Sequence, residues 1–179
     1  MTTVPDLIQT GPLVDALLAA GIEANEVGGS SGGESDGGTA TSTAFRLSDD
    51  SGTGSAAVGF ATSVQVAPMM NETSVGWCAV APTGERDYAW SLADDPATPC
   101  SDADLDGSQP LVVVHEEPGA AGIGATLVRA DGSVLTVSVS QAPADEFETV
   151  GDAPLAALPM DRAAILDLLA ELDAANPVS

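Results

Sequence analysis

Apolar positions recur at helical spacing near both ends of the chain and at strand spacing between them. In "TGPLVDALLAAG", Leu13, Val14, Leu17 and Leu18 share one side of a short helix, with Pro12 in its first turn and Gly21 at its end. In "LPMDRAAILDLLAELDAANP", a longer stripe runs through Ile165, Leu168, Leu169 and Leu172; Asp161 suits the N-cap and Asn176-Pro177 the stop. From residue 42 onward the period shifts to two, with β-branched residues between turn signals. That pattern predicts strands at 42–48, 55–67, 75–81, 86–92, 110–116, 123–130 and 133–141. Asp131-Gly132, between the last two, is the strongest short-range hairpin signal. Residues 27–42, "VGGSSGGESDGGTATS", carry too little apolar surface to fold alone and predict a flexible loop. The expected architecture is a single α+β domain. An antiparallel sheet of about six to seven strands is covered on one face or end by a short N-terminal and a longer C-terminal helix.

Composition narrows the partners. The 179 residues include 27 acidic side chains against four arginines and no lysine, a net charge of −23. Such a surface repels phosphate backbones and anionic headgroups, which disfavours nucleic acid and direct membrane-surface binding. Cations or a basic protein patch are the favoured partners. Solubility of a cytosolic protein from a halophile accounts for the same charge. No apolar run approaches the ~20 residues that span a bilayer. The N-terminal stretch lacks the basic and continuous apolar regions of a signal peptide, so the expectation is a cytosolic protein or one whose anchor lies upstream. Cys78 and Cys100 have no C-x-x-C spacing and only one histidine to join them, which excludes a standard zinc site. They fit either a disulfide in an oxidising compartment or two buried reduced thiols.

Catalytic patterns are scarce. There is no G-x-S-x-G elbow, and His115, the single histidine, ends the strand-like run "LVVVH" beside Glu116 and Glu117 as a surface residue would. Adjacent carboxylates such as Asp49-Asp50 are common because carboxylates are common. "GTGSAA", residues 52–57, matches G-x-G-x-x-A, but a strand-like segment follows where a dinucleotide site needs a helix. No lysine follows the glycines of 27–42, which argues against a phosphate loop. Trp77 and Trp90 read as core anchors of a hairpin. "CSDADLDGSQP" sets Asp102, Asp104 and Asp106 at positions 1, 3 and 5 of a calcium loop, with Gly107 at its turn. Position 12, where a bidentate Glu belongs, is Val113, and the flanks read as turn and strand. Ca2+ is therefore the one candidate cofactor, held by a looser oxygen cage.

The order of "LVDALLAAGIEANEV", a Gly-rich tract, "AFRLSDDSGTGSAAVGF", "CAVAPTG", "LDGSQPLVVV", "ATLVRADGSVLTVSV" and "PLAALPMDRAAILDLLAEL" resembles the extracytoplasmic domains of actinobacterial lipoproteins and single-pass membrane proteins. The resemblance covers about residues 5 to 172, though this sequence shows no lipobox cysteine or anchor. It implies a disulfide between Cys78 and Cys100 and an outward-facing domain, and it carries over no catalytic residue. The resulting expectation is a non-enzymatic extracytoplasmic domain that binds a protein partner or ligand at the cell envelope. Two alternatives stand beside it: a calcium-dependent structural module using Asp102, Asp104 and Asp106, and a cytosolic acidic protein of a halophile.

Overall fold

The computed structural model describes residues 8–27, 31–35, 38–63, 79–80, 86–87, 100–103, 111–116, 121–143 and 153–177. Five strands form the body of an antiparallel sheet, in the order β3 (Gly38–Ser48), β4 (Thr53–Ala61), β10 (Val134–Ser140), β9 (Gly122–Val128), β8 (Leu111–Glu116). Three short strands extend its edges. β1 (Glu23–Glu26) and β2 (Ser31–Ser35) both pair with β3, and β7 (Cys100–Ala103) pairs with β8. With the helices α1 (Gly11–Ala19) and α2 (Arg162–Ala175), this is an α+β architecture.

The body thus has five strands rather than six or seven. Of the predicted strands at 75–81 and 86–92, the described residues are β5 (Ala79–Val80) and β6 (Arg86–Asp87), which pair with each other in a separate two-stranded sheet. Trp77 and Trp90 lie outside the described residues. The expected loop at 27–42 also differs. Residues 31–35 pair with 42–38 of β3, so part of the Gly/Ser tract is drawn into the sheet as backbone. Ladder hydrogen bonds need no side chain, which is why hydrophobic pattern gives no sign of this pairing.

Alternation along the strands sends one set of side chains to the helices. Phe45, Val58, Phe60, Leu127, Leu135 and Val137 lie on that face and belong to one core with Leu13 and Leu17 of α1 and the four predicted stripe residues of α2. Each fully buried side chain of this kind contributes about 1.5–3 kcal/mol. The opposite face is small: Ala57, Gly59, Gly124, Ser138 and Ser140 follow one another across the central strands. These positions are buried as well, so the middle of the sheet is inaccessible from both sides.

Local chemistry fixes the helix ends. In α2, the Asp161 side chain accepts the Ala164 N–H at 2.9 Å, as its N-cap position predicts. α1 closes with the Gly21 N–H donating to Leu18 C=O and the Ile22 N–H to Leu17 C=O, with Gly21 at φ 80°. This paired closure is a Schellman motif, and it needs a left-handed residue where Gly21 stands. Leu18 departs from the expected apolar face: it is 66% exposed, while Leu13 and Leu17 are buried and Val14 packs partly buried against the core.

Candidate functional site

Of the residues singled out for chemistry, Cys100, Asp102 and His115 fall on the paired strands β7 and β8. Backbone register puts Cys100 opposite His115 and Asp102 opposite Val113. β7 ends the strand order on this side among the described residues, so this backbone pairing lies at the sheet edge. Residue spacing could not have joined the cysteine to the single histidine; only the pairing does. Asp104, Asp106 and Cys78 lie outside the described residues. Cys100 opens a strand that runs through Ala103, and the Gly107 turn lies outside the described residues. An EF-hand frame requires a helix on each side of its loop, whereas this one is flanked by β7 and β8. Its first and twelfth positions, Asp102 and Val113, face each other across the ladder. Among the described residues, no three or more His, Cys, Asp or Glu side chains gather at one point.

A second polar constellation was not anticipated. Arg129 follows β9 and reaches under the C-terminus of α2. Its Nε donates to Asp173 Oδ1 at 2.7 Å, and its Nη2 donates to the Asn176 carbonyl at 2.7 Å. The guanidinium lies 5.6 Å from the centre of the Phe60 ring. Only 8% of the side chain is exposed, and Nη1 is buried without a hydrogen-bond partner. A cation here meets the negative end of the helix dipole and carbonyls that have no partner within the helix. Asn176 completes the lock. Its side chain accepts the Gln9 N–H at 2.7 Å and donates to the carbonyls of Gln9 and Leu172 at 3.0 and 2.8 Å. One arginine beside an Asp-Gly turn is the sole trace of this arrangement in the sequence.

The third constellation holds the β3–β4 turn. Asp49 Oδ1 accepts the N–H groups of Ser51 and Gly52, at 2.7 and 3.1 Å, and the Ser51 hydroxyl. The Ser51 side-chain and backbone hydrogen bonds hold the Asp49 carboxyl below its ordinary value of 3.8. Ser51 Oγ in turn accepts the Ala156 N–H at 2.8 Å. Residues 153–155 cross here: Thr53 N–H donates to Ala153 C=O, and Leu155 N–H is shared by the carbonyls of Thr53 and Gln141. The crossing explains the "GTG" of the apparent nucleotide motif. A Cβ at Gly54 would stand 2.7 Å from Leu155 Cδ1, and one at Gly52 would meet the Pro154 carbonyl carbon at 2.7 Å. These glycines admit another backbone, and the segment after them is β4.

Four of the described carboxylates have structural tasks, while Glu23 accepts only from its near neighbour Asn25. Asp49 and Asp131 close turns, Asp161 caps a helix, and Asp173 holds Arg129. No helix among the described residues is long and apolar enough to cross a membrane. No family model, curated protein or solved structure matches the chain.

Proposed function

We propose that this chain is a non-enzymatic extracytoplasmic domain that binds a protein partner or ligand at the cell envelope. The observation that carries the reading is the use made of polar side chains. Turn closure, helix capping and the Arg129 lock account for Asp49, Asp131, Asp161, Asp173 and Asn176. A scaffold of this kind presents surface rather than assembling a nucleophile and its base. Its net charge of −23 directs it towards basic partners. The order of segments shared with extracytoplasmic domains supports the location.

A Cys78–Cys100 disulfide belongs to this proposal and gives its test. Protein recovered from an oxidising compartment is unfolded in denaturant and titrated with a thiol reagent before and after reduction. The expected result is no reactive thiol before reduction and two after it. Two thiols before reduction would remove the disulfide and, with it, the main chemical support for the compartment. Asp102, with Asp104 and Asp106, forms the secondary proposal of a calcium-stabilised loop. A melting temperature that rises in Ca2+ beyond its rise in Mg2+ would favour it, because a ligand of the native state alone must stabilise that state.

A further inference from the structure

We infer that the outer edge of β1, which has no partner strand among the described residues, is a docking site for a basic, extended peptide segment, which adds to the sheet as a further antiparallel strand. The inference rests on the binding role proposed above and names its partner class. β1 ends the strand order, and Glu23, Asn25 and Glu26 are exposed. Its hydrogen-bonding phase follows from one contact. The Val27 N–H donates to the Ala44 carbonyl at 3.0 Å, in register with the β1–β3 pairs. Bonded pairs alternate in an antiparallel ladder, so Glu23 and Asn25 turn their backbone groups to β3. Ala24 and Glu26 therefore turn their N–H and C=O groups outward, where no partner strand stands among the described residues, a set of donors and acceptors for an incoming strand.

Charge selects the occupant. Glu23 and Glu26 lie on β1, and the exposed Asp49 and Asp50 follow Ser48, which pairs with Glu23. A second copy of this chain would set acidic edge against acidic edge at a net charge of −23 each, whereas Lys and Arg side chains of a partner would be attracted. Leu18, the one large apolar side chain exposed among the described residues, precedes β1 by one helical turn and the Gly21 link.

The probe is a short synthetic peptide of alternating Lys and Val, compared with one alternating Glu and Val. A third peptide is the Lys/Val sequence with alternate backbone nitrogens methylated, which keeps the charge and removes strand donors. Binding is followed by calorimetry at low salt and by amide hydrogen exchange. The Lys/Val peptide is expected to bind and to slow exchange at Ala24 and Glu26, while the Glu/Val peptide does not bind. Methylation should weaken binding about tenfold, the scale of one or two lost backbone hydrogen bonds. Ala24→Pro removes an outward donor without touching the β3 ladder and should weaken binding similarly, with thermal unfolding reporting that the fold is kept. Equal binding by the methylated peptide with no protection at Ala24 and Glu26 would overturn strand addition in favour of charge alone. No binding, or dimerisation of the protein through this edge, would overturn it as well. Binding by a chain that fractionation places in the cytosol would leave this site standing and remove the envelope reading.

Discussion

Replacing Arg129 with alanine is the sharpest test of how the helices are held on the sheet. The side chain joins the β9–β10 turn to the last turn of α2 through Asp173 and the Asn176 carbonyl, and it covers Phe60. These contacts differ in worth. Asp173 is 42% exposed, so its ion pair with Arg129 is screened and contributes no more than about 1 kcal/mol. The hydrogen bond to Asn176 is buried and charge-assisted, worth about 1.5–3 kcal/mol, and the contact with Phe60 adds about 0.5–1 kcal/mol. Relief of the orphaned Nη1 offsets part of this loss. The net cost is about 2–4 kcal/mol. For a chain of 179 residues that corresponds to a Tm lowered by about 4–16 °C. Urea titration of the wild type, Arg129→Ala, Asp173→Ala and the double variant gives the cost and the coupling from one double-mutant cycle. The predicted coupling between Arg129 and Asp173 is below about 1 kcal/mol. A coupling that accounts for the whole Arg129→Ala loss would refute the assignment to the helix end. So would a loss under about 0.5 kcal/mol, the level of an ordinary surface substitution.

Gly54→Val forces a side chain into Leu155 and the Ser140 carbonyl; it should cost about 2–4 kcal/mol by urea unfolding, and an unchanged midpoint would refute the close crossing. Asp161→Ala removes the α2 N-cap and should lower stability by about 1 kcal/mol, with Asp161→Asn recovering most of it. Asp49→Ala tests the turn through pH. A folded-state pKa below 3.8 means that the Asp49 contribution is fully present above the unfolded value and is lost as pH falls through the folded one. The urea midpoints of wild type and variant should therefore differ at neutral pH and converge below about pH 4; a gap constant with pH would contradict it.

The parts that sequence made legible share a reason. In α2, the spacing of Ile165, Leu168, Leu169 and Leu172 is both a local signal and the packed face, so pattern and tertiary structure agree. Asp131-Gly132 agrees at the next level. Asp131 accepts from Ser133, Gly132 sits at φ 87°, and the Gly132 N–H closes the turn onto the Arg129 carbonyl. Where pattern misled, the cause lay in backbone or in distant partners. β2 has Gly and Ser where a strand signal needs apolar alternation, and its pairing is carried by β3. Cys100–Ala103 opens an Asp-rich run with no strand pattern of its own, yet β8 supplies a partner strand. Leu18 satisfies the helical period but is exposed. At Gly52 and Gly54 the strand-like segment that argued against a dinucleotide loop is β4, and the glycines answer to close backbone approach at this crossing.

The candidate site was legible only as residue types. Cys100, Asp102 and His115 could be picked out by residue type, but the pairing of Cys100 with His115 follows only from the β7–β8 register. Arg129 gave almost no signal, since its partners lie 44 and 47 residues away. The outer edge of β1 could not be inferred from "EANE", because a segment of that composition reads as solvated loop until its pairing with β3 is known.

The measurement closest to the central claim is the compartment of the natural protein. Cells that produce it are fractionated, and an antibody raised against this chain is used to follow it through cytosol, membrane and secreted fractions, with protease added to intact cells. The envelope account predicts that the chain follows the membrane or secreted fraction and is cleaved by external protease. Recovery in the cytosol, protected until the cells are lysed, would contradict it.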